Sequence, residues 1–176
     1  MREHGYSVEI IEPPLPEPTN PPPELSPARI AETLSHFKAA AVAGIINAGL
    51  ILGADTIAAL GERIFGKPAD RAGAKRILSA LAGTSHQVIT GVTLMDAATR
   101  SHVTRHDATA VHVRGLSDAE IEAYLDTGAW EGKAGAYGIQ DHGDPFVSRI
   151  EGSFTNVVGL PMELLAQMLG QWATKR

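Results

Sequence analysis

The apolar run Leu50-Ile51-Leu52, followed at once by Gly53-Ala54-Asp55-Thr56, is the strongest constraint on what this chain can form. A continuous apolar run of this kind reads as a strand buried on both faces, and α/β proteins place ligand chemistry at the carboxyl ends of such strands. Asp55 is therefore the candidate reacting centre. A carboxylate there can hold a divalent cation or take a proton from an attacking water. The plainer role for the same acid is to cap a turn or to pair with a nearby lysine.

The rest of the chain alternates helix and strand signals. Ser7-Val8-Glu9-Ile10-Ile11 reads as a short strand, and Glu12 to Pro27 is so crowded with proline that an extended loop is expected. Ser26-Pro27 is an N-cap followed by a first-turn proline. Ile30, Leu34, Phe37, Ala41 and Ile45 then recur at helical spacing, with Lys38 near the middle of that helix. Ile57–Leu60 and Arg63–Phe65 flank Gly61-Glu62 as a hairpin. Asp70 caps a helix through Leu81 that Gly83 closes, and the stretches 86–94 and 104–113 form an antiparallel pair. Ser117-Asp118-Ala119-Glu120 is a capping box. Pro145 to Ile150 and Phe154 to Val158 read as strands, and Pro161 opens a final amphipathic helix. Helices falling between strands, with at least two hairpins, predict an α/β domain with a mixed sheet.

Composition narrows the function classes. The 15 Lys+Arg against 20 Asp+Glu give a net charge of −5, which repels polyanions and argues against a nucleic acid polymer as partner. There is no cysteine, so thiolate nucleophiles and cysteine-based zinc sites are excluded. No apolar run approaches the roughly 18 residues of a membrane span, and no signal-like core follows Met1, so no membrane partner and a cytoplasmic setting are expected. Lys67, held beside Pro68, can place a point charge on a phosphate, although most such lysines are solvated turn residues. Lys38 on its helix and Glu17 in the proline-rich loop carry weaker signals of their own. In 132–140, glycines at 132, 135 and 138 let backbone approach a ligand while Gln140 offers a donor and an acceptor, although composition alone reads as a flexible turn. That glycine spacing is not G-x-G-x-x-G, so a dinucleotide fingerprint and hydride transfer find no support. His102 and His106 read as surface residues not sharing a face; Asp141, His142 and Asp144 suggest a metal site, but polar turn residues explain the cluster equally well.

Taken in order, Leu52-Gly-Ala-Asp-Thr-Ile57, Gly66-Lys-Pro68, Leu81-Ala-Gly-Thr-Ser-His-Gln-Val-Ile-Thr-Gly-Val92, Lys133-Ala-Gly-Ala-Tyr-Gly-Ile-Gln140 and Gly152-Ser-Phe-Thr-Asn-Val-Val-Gly-Leu-Pro161 closely resemble the Maf family of nucleotide pyrophosphatases. The resemblance runs from about Val8 to the C-terminus. It implies a single Maf-like domain over 1–176, with an elongated twisted sheet, flanking helices and two lobes around a cleft. It also implies hydrolysis of a nucleoside triphosphate, dTTP or UTP, to the monophosphate and pyrophosphate with Mg²⁺ or Mn²⁺, and a homodimer. On this basis Asp55 is the expected proton acceptor and metal ligand, with Glu17 matching a family glutamate near the metal. Lys38 and Lys67 are expected at the phosphates, and Thr56 and Gln140 at positions linked to base choice. Family members begin with a Ser-x-Ser-Pro-Arg-Arg loop that nothing here matches, so a longer native protein, and weak activity of this chain alone, are expected. The competing expectation is a nucleotide-binding regulator of division or septum formation that does not turn its ligand over.

Overall fold

The computed structural model describes Met1, residues 5–16, residue 18, residues 24–139 and residues 146–174. The elements run α1 (Pro27–Ala43), β1 (Leu50–Leu60), β2 (Arg63–Phe65), α2 (Arg71–Leu81), β3 (Ser85–Asp96), β4 (His102–Val113), α3 (Asp118–Asp126), a 3₁₀ turn (Ala134–Ala136), β5 (Val147–Glu151), α4 (Phe154–Val158) and α5 (Met162–Thr174). The α/β class expected from the sequence is the class the chain adopts. Five strands form one sheet in the order β2-β1-β3-β4-β5, and each of its four pairings is antiparallel. Hairpins join β1 to β2 and β3 to β4, and a hairpin permits only antiparallel neighbours.

Local signals account for most of the boundaries. Pro27 starts α1, the Asp70 carboxylate accepts from Gly73 N at the start of α2, and Ser117 and Glu120 complete a capping box on α3. Gly61 takes φ 60° in the β1–β2 turn. Two expected strands are corrected. Residues 7–11 form no strand: Ile10 is 85% exposed, and Ile11 instead packs partly against α1 and Ile51. Phe154 to Val158 is helix α4, because the Ser153 hydroxyl accepts from Asn156 N and Gly159, at φ 116°, ends the turn. The cap and the closing glycine outweigh the β-branched composition there.

The core is divided by the sheet. On one face, α1 packs Ala31 against Ile57, Ala59 and Ile89, and Ala39, Val42 and Ala43 against Ile51 and Met95. On the other, Ala58, Val88 and Val111 meet α2 and α3, while Val92 and Leu94 meet Leu165 and Met168 of α5. The α1 contact is unusually close. A Cβ on Gly53 would strike Ser35 O, and one on Gly91 would strike Ala31 O, both far inside the 3.0 Å that real Cβ atoms respect. Ala31, Ser35 and Ala39, four residues apart, give α1 a stripe of small side chains that fits these two glycines.

His86 of β3 is buried at 2% exposure, with Nε2 2.7 Å from the Tyr137 hydroxyl. Burial, with a smaller contribution from the nearby His112, pushes its pKa down from 6.5 to about 4.

Two stability predictions follow from this packing. Gly91→Ala must push α1 off the sheet and is expected to destabilise the fold by about 3 kcal/mol, lowering Tm by roughly 6–12 °C. Gly170→Ala, inside α5 with open space around it, is expected to add about 0.5–1 kcal/mol. Thermal melts of the two variants check both signs. A histidine kept neutral by burial contributes stability that is complete above its unfolded pKa of 6.5 and is lost as pH falls through about 4. Urea unfolding of the parent is expected to lose about 3 kcal/mol more than that of His86→Gln between pH 7 and pH 4.

Candidate nucleotide cleft

Asp55 lies at the centre of β1, not beyond its carboxyl end, which corrects the position read from the sequence. Gly53 and Ala54 look like the end of a strand, but the ladder runs through them because Gly53 is where α1 approaches. Asp55 pairs in register with Gly91 and shares the α1 face with Gly53 and Ile57. Lys38, next to Ala39 on α1, reaches it with an Nζ–Oδ1 distance of 2.6 Å. The two side chains are 20% and 10% exposed, so the pair is shielded well beyond an ordinary surface bridge.

β2 pairs only with Ala58 to Leu60, so the outer edge of Leu50 to Ala54 meets no strand among the described residues. A cleft of about 320 Å³ opens beside Ala54, Asp55, Thr56 and Ala58, within the range of small-molecule sites. It is lined by Lys38, Asp55, Thr56, Lys67, the 132–139 turn and Val157 to Gly159. Among the described residues its charged lining is three lysines, Lys38, Lys67 and Lys133, and one acid, Asp55. A chain of net charge −5 thus gathers positive charge at one place, a setting that receives an anion.

Thr56 projects to the opposite face of β1 and has a structural task. Its hydroxyl is 2.8 Å from that of Thr90 and 3.4 Å from Gly159 O, and Thr90 in turn donates to Asn156 O at 3.2 Å. Asn156, fully buried, donates to Val88 O at 2.9 Å and to the Thr109 hydroxyl at 3.0 Å. These bonds fasten α4, and with it the Val157–Gly159 wall, to the sheet.

Lys133 is not among the site residues expected from the sequence, because a lysine in a glycine-rich turn carries no signal by itself. The signal lies five residues on: a Cβ at Gly138 would fall 2.5 Å from Lys133 Nζ, so the glycine makes room for the lysine to fold back over the turn. The same turn holds Gly135 at φ 75° and Ala136 at φ 62°. Ala136 is buried in a conformation that costs an L-residue about 1–2 kcal/mol, and strain of this kind gathers at ligand sites. Gly135 N donates to Gly66 O at 3.3 Å, which ties the turn to the corner carrying Lys67.

Asp55, Lys38, Lys67 and Thr56 are therefore brought together in one cleft. Glu17 and Gln140, like Asp141, His142 and Asp144, lie outside the described residues. His102 and His106 lie elsewhere, and because strand residues four apart do share a face, the reading that separated them is corrected. His102 packs against His36, with ring centroids 4.5 Å apart, and His106 Nδ1 is 2.8 Å from Glu32 Oε1.

A dTTP/UTP pyrophosphatase of Pelotomaculum thermopropionicum is 48% identical over 149 residues, covering 85% of this chain and 78% of that protein. One of Carboxydothermus hydrogenoformans is 42% identical over 93% of this chain and 87% of its own length. One of Ruminiclostridium cellulolyticum is 44% identical, with 82% and 75% covered. The Maf-like protein family model matches residues 1–172, and with the cleft assembled from the family's motif residues the chain belongs to the Maf-like family.

Proposed function

We propose that this chain hydrolyses dTTP and UTP between the α and β phosphates, yielding the nucleoside monophosphate and pyrophosphate. The observation that carries the reading is the cleft that three lysines and one carboxylate line together, with Lys38 paired to Asp55. The names of the relatives support the pyrimidine preference.

Water attacks the α-phosphorus in line, the bond from that phosphorus to the bridging oxygen breaks, and pyrophosphate leaves with the electron pair. Asp55 orients the water and accepts its proton. Phosphoryl transfer needs positioning and charge neutralisation more than covalent help, so Lys67 and Lys133, with Lys38, hold the phosphate oxygens.

Among the described residues no group of three His, Asp or Glu side chains could hold a metal ion. Mg²⁺ and Mn²⁺ often use only one or two protein carboxylates beside substrate oxygens. Asp55 would supply one carboxylate, and Glu17, by family resemblance, a second. When bound, the ion would neutralise charge on the phosphates. No described helix is long and apolar enough to cross a membrane. The proposed cytoplasmic setting rests on the sequence alone and the homodimer on the family resemblance alone.

Asp55→Asn is expected to lower pyrophosphate release from dTTP by at least about a thousandfold while leaving the melting curve cooperative. Lys67→Ala is expected to raise KM for dTTP by about tenfold or more. Chelation of divalent cations is expected to abolish turnover, and added Mg²⁺ to restore it. Tight dTTP binding with no pyrophosphate release from the parent would favour the regulator instead, and near-parental release by Asp55→Asn would remove the base assignment.

A further inference from the structure

The two sides of β1 give the cleft two ends. Lys38 and Asp55 belong to the α1 face, whereas the apolar lining, Val88, Tyr137, Ile139 and Val157, packs together on the opposite face. His86 stands behind this apolar end. It sits two residues before Val88 on β3, on the same face, and meets Tyr137 edge-on, with ring centroids 5.5 Å apart and planes at 87°.

His86 Nδ1 has no hydrogen-bond partner among the described residues. A bare lone pair is tolerated better than a bare N–H, so the single proton of the neutral ring belongs on Nε2, and His86 donates to the Tyr137 oxygen. An apolar side chain would fill this buried space with no unsatisfied nitrogen. Packing alone therefore does not account for a histidine here, whereas the bond to Tyr137 does. Tyr137 follows two successive residues of positive φ, Gly135 and Ala136, and a turn so strained keeps its shape only when something outside it holds it.

We propose that His86 is a positioning residue for the nucleoside end of the substrate: through Tyr137 it fixes the 133–139 turn in the shape that receives base and sugar. The inference rests on the nucleotide reading of the cleft. His86 then sets nucleotide affinity without touching the reacting phosphates, which separates it from Asp55 and the lysines.

The test is titration calorimetry with α,β-imido-dUTP, which the reaction cannot cleave, beside inorganic triphosphate, which lacks base and sugar. His86→Leu and Tyr137→Phe are each expected to bind the analogue about tenfold more weakly while binding triphosphate within about twofold of the parent. The double variant is expected to be no worse than either single one, because both remove the same bond. His86→Gln, which keeps a donor near the Nε2 position, is expected to recover most of the affinity. In turnover of dTTP the loss appears in KM, with kcat within about threefold. Parental analogue binding by Tyr137→Phe, or equal losses for analogue and triphosphate, would overturn the inference while leaving the pyrophosphatase reading intact. A parent that binds neither ligand would overturn that reading and this inference with it.

Discussion

The site depends on one contact, the seating of α1 directly on the backbone of β1 and β3. Helix carbonyls of Ala31 and Ser35 occupy the volume that side chains at Gly91 and Gly53 would fill. Only a helix this close to the sheet can send Lys38 over the strand to Asp55 at 2.6 Å, and only a glycine opposite Asp55 leaves the helix room. The same approach buries hydroxyls, which then pair with one another: Ser35 with Thr93 at 2.9 Å, and Thr93 with Thr104 at 2.9 Å. A helix held by backbone contact and satisfied hydroxyls has few alternative seatings, since neither contact can be remade one residue along. The rigidity that a reacting carboxylate requires thus comes from packing several residues away from it.

The second condition is the short β2. A full-length partner would cover the outer edge of β1 and close off the cleft, whereas three paired residues at Ala58–Leu60 leave that edge to side chains from four other places. Those places are themselves tied together. The Thr56–Thr90–Asn156–Thr109 hydroxyl and amide chain holds α4, and Gly135 N on Gly66 O joins the glycine turn to the Lys67 corner. The cleft is therefore a junction of anchored segments, and the hydroxyl and amide anchors are buried or partly buried, where a lost hydrogen bond costs most.

How far the sequence could be read follows from the range of the interactions involved. Ser26-Pro27, Asp70, the Ser117–Glu120 box and Gly61 act within four residues, and each stands where the local pattern put it. Gly53 misled for the opposite reason: a glycine after three apolar residues looks like a strand end, and only the helix above it, from another part of the chain, explains its presence mid-strand. In Phe154–Val158 composition spoke for a strand and the cap spoke for a helix, and the cap prevailed because Ser153 and Asn156 are also held by Thr109. Lys133 was invisible because its meaning depends on Gly138, and a pairing of lysine with an absent side chain has no periodicity to detect. Asp55, Lys38 and Lys67 could be named from the motifs, but their meeting in one place is a tertiary fact.

The Lys38–Asp55 pair resolves a conflict built into the proposed chemistry. A carboxylate is needed beside the α-phosphorus, yet a triphosphate carries several negative charges and is repelled by any unscreened acid in so small a cleft. An ammonium at 2.6 Å cancels most of the field of Asp55 at a distance while leaving its oxygens in place as acceptors. Lys67 and Lys133 line the same cleft. Removing Lys38 would do more than subtract one phosphate contact, because it would also take from Asp55, only 10% exposed, an ammonium at 2.6 Å. The lysine therefore acts first on the acid and through it on the ligand, and this explains why it comes from the helix that the glycines hold so close to the strand.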